Sequence, residues 1–172
     1  MPTVEELAAE VAALRSRVEV TEATLEIQSL KSRYGELVDR RFVAGHVVDQ
    51  PTLERLAGQA AELFTEDATW DGGPGLGRVT GRRAIAERLC APTLDFSRHL
   101  FLTPDIRVDG DRASARWQLL SPCRRPDGTS YWMCGYEDDD YRRVDGIWLH
   151  RSMRLTTVFM APVGAGWTRI LA

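Results

Sequence analysis

Cysteine is sparse in this chain of 172 residues: Cys90, Cys123 and Cys134 are odd in number and form no Cys-x-x-Cys pair. Such a set supports neither a disulfide framework nor a zinc ribbon, so the thiols read as reduced packing groups. Lysine is scarcer, with Lys31 alone. The net charge is −3 and the arginines are spread along the chain, so there is no basic footprint and nucleic acid is not an expected partner. No apolar run is long enough for a signal sequence or a membrane span, and a soluble cytoplasmic protein is expected. The glycine-rich stretch GGPGLGRVTG lacks a Gly-Lys-Ser/Thr ending and does not leave a hydrophobic parallel strand, which excludes a phosphate loop and leaves a flexible hairpin connection. His46, His99 and His150 show no convergence that would call for a metal, and no cofactor is called for.

A hydrophobic content of 44% suits one globular domain. From Val4 the positions Val4, Leu7, Val11, Leu14, Val18 and Leu25 follow heptad-like spacing, broken at Thr21. This predicts a helix that continues, or kinks near 19–24, into an amphipathic one with Ile27, Leu30, Tyr34, Leu37 and Val38 on one face. The heptads suit either packing on their own domain or an oligomer zipper. After a loop at AGHVVDQP, TLERLAGQAAELF predicts a helix begun at Pro51, TEDATWDG a short strand and GRRAIAERLC a short helix.

Four strand-like runs follow: SRHLFLTPDIRVDG, DRASARWQLLSPC, TSYWMCGYEDDDYRRV and GIWLHRSMRLTTVFM. Turn signals at Val108-Asp109-Gly110, Pro126-Asp127-Gly128 and Val144-Asp145-Gly146 lie between them, as antiparallel hairpins require. The predicted class is α+β, with helices first and then a curved antiparallel sheet whose cone would hold a small apolar ligand. Glu137 to Asp140 reads as a solvated strand end, because only alternate carboxylates of a strand can share a site.

The segments IQSLKSRYGELVD, LFTEDATWDG, GRVTGRRAIAERL, SRHLFLTPDIRVDGDRASAR and YEDDDYRRVDGIWLHR together resemble the SnoaL-like branch of the nuclear transport factor 2-like superfamily, from Glu26 to Thr157. That resemblance implies a cone-shaped α+β barrel with N-terminal helices packed on a strongly curved, mostly antiparallel sheet. It divides the chain into a helical extension (1–24), a barrel domain (25–160) and a C-terminal tail (161–172). The family's cofactor-independent lyases, of the scytalone dehydratase and bile acid 7α-dehydratase type, end the first conserved helix with Asp and carry His on the strand after the short helix. Asp39 and His99 stand at those positions, and Tyr34 at a tyrosine position of the bile acid dehydratase. Where the family's dehydrochlorinase has a basic residue on the last strand, this chain has Met153, with Arg151 and Arg154 as neighbours.

A carboxylate and an imidazole brought together make a general base of fixed tautomer. The implied function is therefore a cofactor-free, dehydratase-type lyase in which His99 removes a proton next to a carbonyl, Asp39 orients it and Tyr34 assists the departing hydroxyl. A ketosteroid-isomerase-like isomerization or a polyketide cyclization begins with the same enolate-like anion, and a non-catalytic binding or assembly module is the rival from another class. The resemblance implies a small cyclic or aromatic substrate, such as a polyketide, steroid or terpenoid intermediate, and a homo-oligomer, as dimer or trimer. Trp70, Trp117, Cys134, Tyr136, Arg151 and Met153 are the expected substrate contacts, although strand aromatics more often fill the core and Cys134 has no activating neighbour in sequence.

Overall fold

The computed structural model describes residues 1–164. Helix α1 runs without interruption over Val4–Asp39. Its start is fixed by a capping box, in which Thr3 Oγ1 accepts from the Glu6 N–H and the Glu6 carboxylate accepts from the Thr3 N–H. The helix is unbroken through the stretch where a kink was an alternative, and there Thr21 and Thr24 return their hydroxyls to the carbonyls of Arg17 and Val20 within the helix. Burial begins at Ala23 and follows one stripe: Ile27, Leu30, Tyr34 and Val38, with Lys31, Gly35 and Asp39 beside it. Everything before Ala23 is exposed, including Val4, Leu7, Val11, Leu14 and Val18.

The segment read as a loop after α1 is a small hairpin, β1 (Phe42–Val43) with β2 (His46–Val47). Its turn places both Ala44 and Gly45 at positive φ, a conformation that alanine seldom adopts. Asp49 caps α2 (Gln50–Ala61) by accepting from the Thr52 N–H. The glycine-rich stretch joins β3 (Phe64–Asp71) to β4 (Arg78–Thr80) as an antiparallel hairpin, and α3 (Arg82–Leu89) follows.

The remaining strands are β5 (Phe96–Ser97), β6 (Leu100–Asp109), β7 (Arg112–Arg124), β8 (Ser130–Val144) and β9 (Ile147–Pro162). In the main sheet the order is β4-β3-β9-β8-β7-β5, with β6 also paired to β7. All pairs are antiparallel except β3 with β9. Register shifts at Cys134/Gly135 and Asp140/Tyr141 in β8, and between Leu102 and Asp105 in β6, bend the sheet into a cone. Strand β9 continues to Pro162, past the start of the expected tail, and the rest of that tail from 165 lies outside the described residues. No described helix is long and apolar enough to cross a membrane.

Alternation decides what enters the cone. On β7 the buried positions are Ala113, Ala115, Trp117, Leu119, Ser121 and Cys123; on β8 they include Tyr131, Met133, Glu137, Asp139 and Tyr141. The C-terminal half of α1, with α2 and α3, covers this concave face and makes one core with it. A second cluster of Leu119, Cys123, Tyr131 and Met133 lines the other end.

Candidate active site

Asp39 is the last residue of α1 and is buried. A helix C-terminus disfavours an anion, so the carboxylate needs donors from elsewhere in the fold. His99 supplies two. It lies in the two-residue gap between β5 and β6, and its main-chain N–H donates to Asp39 Oδ1 and Oδ2 at 3.1 and 3.2 Å. Its ring Nδ1 lies 2.7 Å from Oδ1. The Arg98 Nε stands 3.3 Å from Oδ2. Neither Arg40 nor Arg41, the adjacent arginines, forms an ion pair with Asp39: Arg40 pairs with Glu36, and Arg41 donates to backbone carbonyls. A carboxylate only accepts, so in the neutral ring Nδ1 carries the proton and Nε2 is left as a lone-pair base. The ring stacks on Phe101 at 5.7 Å and 24°.

The imidazole lines a partly open cavity of about 90 Å³ together with Tyr34, Trp70, Glu137, Leu119 and Met153. This is far below the roughly 300–1,000 Å³ of sites for drug-sized ligands, so the enclosed space suits a molecule of about one ring. The Tyr34 hydroxyl accepts from Trp70 Nε1 at 3.1 Å, and its own proton has no acceptor among the described residues. Burial, reinforced by the charge of Glu137, raises the phenol well above its ordinary range and keeps it a donor.

The acidic run of β8 splits by alternation. Asp138 and Asp140 face outward, where Asp138 takes Arg116 in a two-point ion pair at 2.7 and 3.0 Å and Asp140 accepts from Ser152. Glu137 and Asp139 face inward and are buried, which corrects the reading of the whole run as a solvated strand end. Between them sits the chain's single lysine: Lys31 Nζ donates to Glu137 Oε2 and, at 2.7 Å, to Asp139 Oδ2. Burial works against the Lys31 charge, but Asp139 and Glu137 outweigh it and the ammonium is held above its usual range. Burial pushes the Asp139 carboxyl up to about 6. Tyr141 donates to Asp139 at 2.8 Å and accepts from Trp117 Nε1 at 3.0 Å. His150, fully enclosed beside this network, is held neutral by burial and by the nearby ammonium.

Of the expected substrate contacts, Trp70 and Met153 line the His99 cavity. The other four do not line it. Trp117 lines a second, more open cavity that His99 also borders, with Asp39, Lys31 and Phe101, and its N–H is spent on Tyr141. Cys134 and Tyr136 precede inward positions by one residue and so face out; Tyr136 lies under the Arg116 guanidinium at 4.3 Å. Arg151 also points outward, donating to the Asp67 carbonyl. Glu137, Lys31, Arg41 and Arg88 were not anticipated. The inward alternation of β8 was the one available signal for Glu137.

A family model described as SnoaL-like domain matches residues 19–154, and the chain belongs to that family. Among solved structures, a Novosphingobium aromaticivorans protein that carries a provisional scytalone dehydratase name superposes with a TM-score of 0.67 at 20% identity, covering 84% of this chain and 89% of that one. A type 3 hexachlorocyclohexane dehydrochlorinase from Novosphingobium barchaimii gives 0.67 at 19%, covering 91% and 95%. An NTF2-like protein with a cystatin-like fold, also from N. aromaticivorans, gives 0.62 at 24%, covering 92% of each chain. At these identities the likeness establishes the fold. No functionally curated protein matches the sequence.

Proposed function

We propose that the protein is a cofactor-independent lyase of the dehydratase type acting on a small cyclic or aromatic molecule. The observation that carries this reading is the 2.7 Å contact between His99 Nδ1 and Asp39 Oδ1 at the wall of an interior cavity. His99 Nε2 takes a proton from carbon next to a carbonyl, and Asp39 stabilizes the imidazolium that forms. The Tyr34 hydroxyl, with its proton unspent, donates to the developing oxyanion or the departing hydroxide. Names of structural neighbours that include a dehydratase and a dehydrochlorinase agree with elimination. Isomerization and ring closure share the first step and differ in what the anion does next.

Cyclic hydroxy-ketones incubated in deuterated water test the reading by solvent exchange and loss of water, comparing wild type with His99→Ala and Asp39→Asn. Exchange by wild type alone is expected. Equal exchange by all three proteins would remove His99 as the base.

Self-association is proposed as well. The apolar residues Leu7, Val11, Leu14 and Val18 of α1, and Val158, Phe159 and Met160 of β9, are exposed in the single chain. Sedimentation should give a dimer or trimer, and a monomer at micromolar concentration would refute the association.

A further inference from the structure

Arg41 is the one buried arginine among the described residues, and no carboxylate lies within ion-pair distance of it. Its Nε donates to the Val38 carbonyl at 2.8 Å and its Nη1 to the Leu89 carbonyl at 2.9 Å. Arg88, half-buried in the last turn of α3, repeats the pattern: Nε donates to the Leu76 carbonyl at 3.0 Å and Nη1 to the Ala91 carbonyl at 2.7 Å. Its guanidinium also lies over the Trp70 ring, 5.6 Å from the centroid. Both side chains line the His99 cavity, and neither Nη2 has a hydrogen-bond partner among the described residues.

Two anchored guanidinium groups on one wall repel each other at a cost, and Arg41, buried with only Asp39 at a distance beyond ion pairing to offset its charge, is held below its usual range mainly by burial. An arginine cannot shed its proton to escape that cost. Backbone carbonyls fix the geometry without cancelling the charge. The cavity's carboxylates do not cancel it either: Glu137 is committed to Lys31, and Asp71 turns Oδ1 onto the Gly73 N–H of its own loop. Both side chains line the space that a ligand enters, with their Nη2 donors uncommitted to protein acceptors among the described residues.

We propose that Arg41 and Arg88 form an anion subsite and that the substrate is a single-ring compound bearing a carboxylate. This rests on the lyase reading and adds the group by which the substrate is held. The carboxylate seats on the arginine wall between α1 and α3, and the ring lies on Trp70. The reacting carbon is then turned toward His99, with any hydroxyl toward Tyr34 and Glu137. Arginine suits this role because its planar fork matches a carboxylate.

Benzoate is the probe, titrated into the full chain by calorimetry and tryptophan quenching, with benzyl alcohol and benzamide as uncharged isosteres. Benzoate should bind at least about tenfold more tightly than either isostere, and Arg88→Gln should weaken benzoate about tenfold while leaving benzyl alcohol unchanged. Arg41→Gln should do the same where circular dichroism shows it folded; the half-buried Arg88 keeps the test open where it does not. Equal binding of benzoate and its neutral isosteres, no benzoate binding, or undiminished benzoate binding in Arg88→Gln would overturn the subsite. His99→Ala separates the two proposals: it should abolish exchange and retain benzoate binding. A failed subsite with His99-dependent exchange intact leaves the lyase reading standing.

Discussion

Asp39 holds His99 twice, once by its main-chain N–H and once by its ring, across 60 residues of sequence. The main-chain bond exists because His99 falls outside the β6 ladder, so its N–H is free to donate. The imidazole is thereby fixed in position as well as in tautomer. Asp39→Asn should lower turnover about 10²- to 10⁴-fold with a smaller change in KM, because an amide cannot stabilize the imidazolium. Steady-state kinetics on a substrate found by the exchange screen would show this, and an unchanged kcat would refute the pairing's role.

Tyr34 is held at the cavity wall by a donor rather than an acceptor, which leaves its proton for a ligand. Tyr34→Phe removes that proton and strands the Trp70 N–H, at a cost of about 1–3 kcal/mol in folding stability. Turnover should fall about 10²-fold or more if the hydroxyl meets the oxyanion. Urea denaturation and kinetics on the same preparation distinguish the two effects, since a purely structural tyrosine would change the first and spare the second.

Lys31 is the only cation within ion-pair distance of both Glu137 and Asp139 among the described residues. Lys31→Met would leave two buried carboxylates without a cation, Asp139 keeping only its Tyr141 hydrogen bond, which should cost about 3–5 kcal/mol at neutral pH. Without the ammonium the raised Asp139 carboxyl loses its main opposing charge and binds its proton more tightly still, so the loss should shrink as the pH falls toward about 5 and that carboxyl protonates. A pH-independent loss, measured by urea denaturation, would show that Lys31 acts by packing alone.

Asp139 gives the wild-type protein its own pH signature. Its carboxyl stands at about 6 in the fold, against 3.8 for the ordinary side chain. The folded state therefore holds the proton more tightly than the unfolded chain does. That contribution to stability is complete below about pH 4, is lost as the pH rises to about 6 and is absent above. Asp139→Asn should flatten this segment of the stability profile, and an unaltered slope in the variant would assign the effect to another group.

The sheet was readable because its signals are local. Gly110, Gly128 and Asp145-Gly146 take the positive φ that the turn dipeptides announce, and β7 alternates buried and exposed over its length. The β1–β2 hairpin was not readable, because Ala44 adopts positive φ under the constraint of its surroundings rather than by preference. The interior ion network was hidden for a different reason. Lys31 lies 106 and 108 residues from its two partners, and four consecutive acids look alike until register assigns them to faces. The same one-residue ambiguity put Tyr136 among the expected contacts when Glu137 is the residue that faces the cavity. Arg41 and Arg88 lacked any signal, since an arginine bound by carbonyls has no sequence pattern.

Gly135 links the sheet's curvature to the site. It occupies the β8 irregularity next to Cys134, two residues before Glu137. A Cβ there would overlap the Thr156 carbonyl oxygen on β9, a backbone atom that cannot swing aside as a side chain does. Gly135→Ala therefore forces β8 and β9 apart at the bend and should cost about 1–3 kcal/mol. The movement also shifts the segment that aims Glu137 into the cavity and onto Lys31. Urea denaturation should register the stability loss, and a crystal structure of the variant should show a flatter β8. Wild-type stability in Gly135→Ala would mean that the curvature is set by the Asp140/Tyr141 irregularity instead.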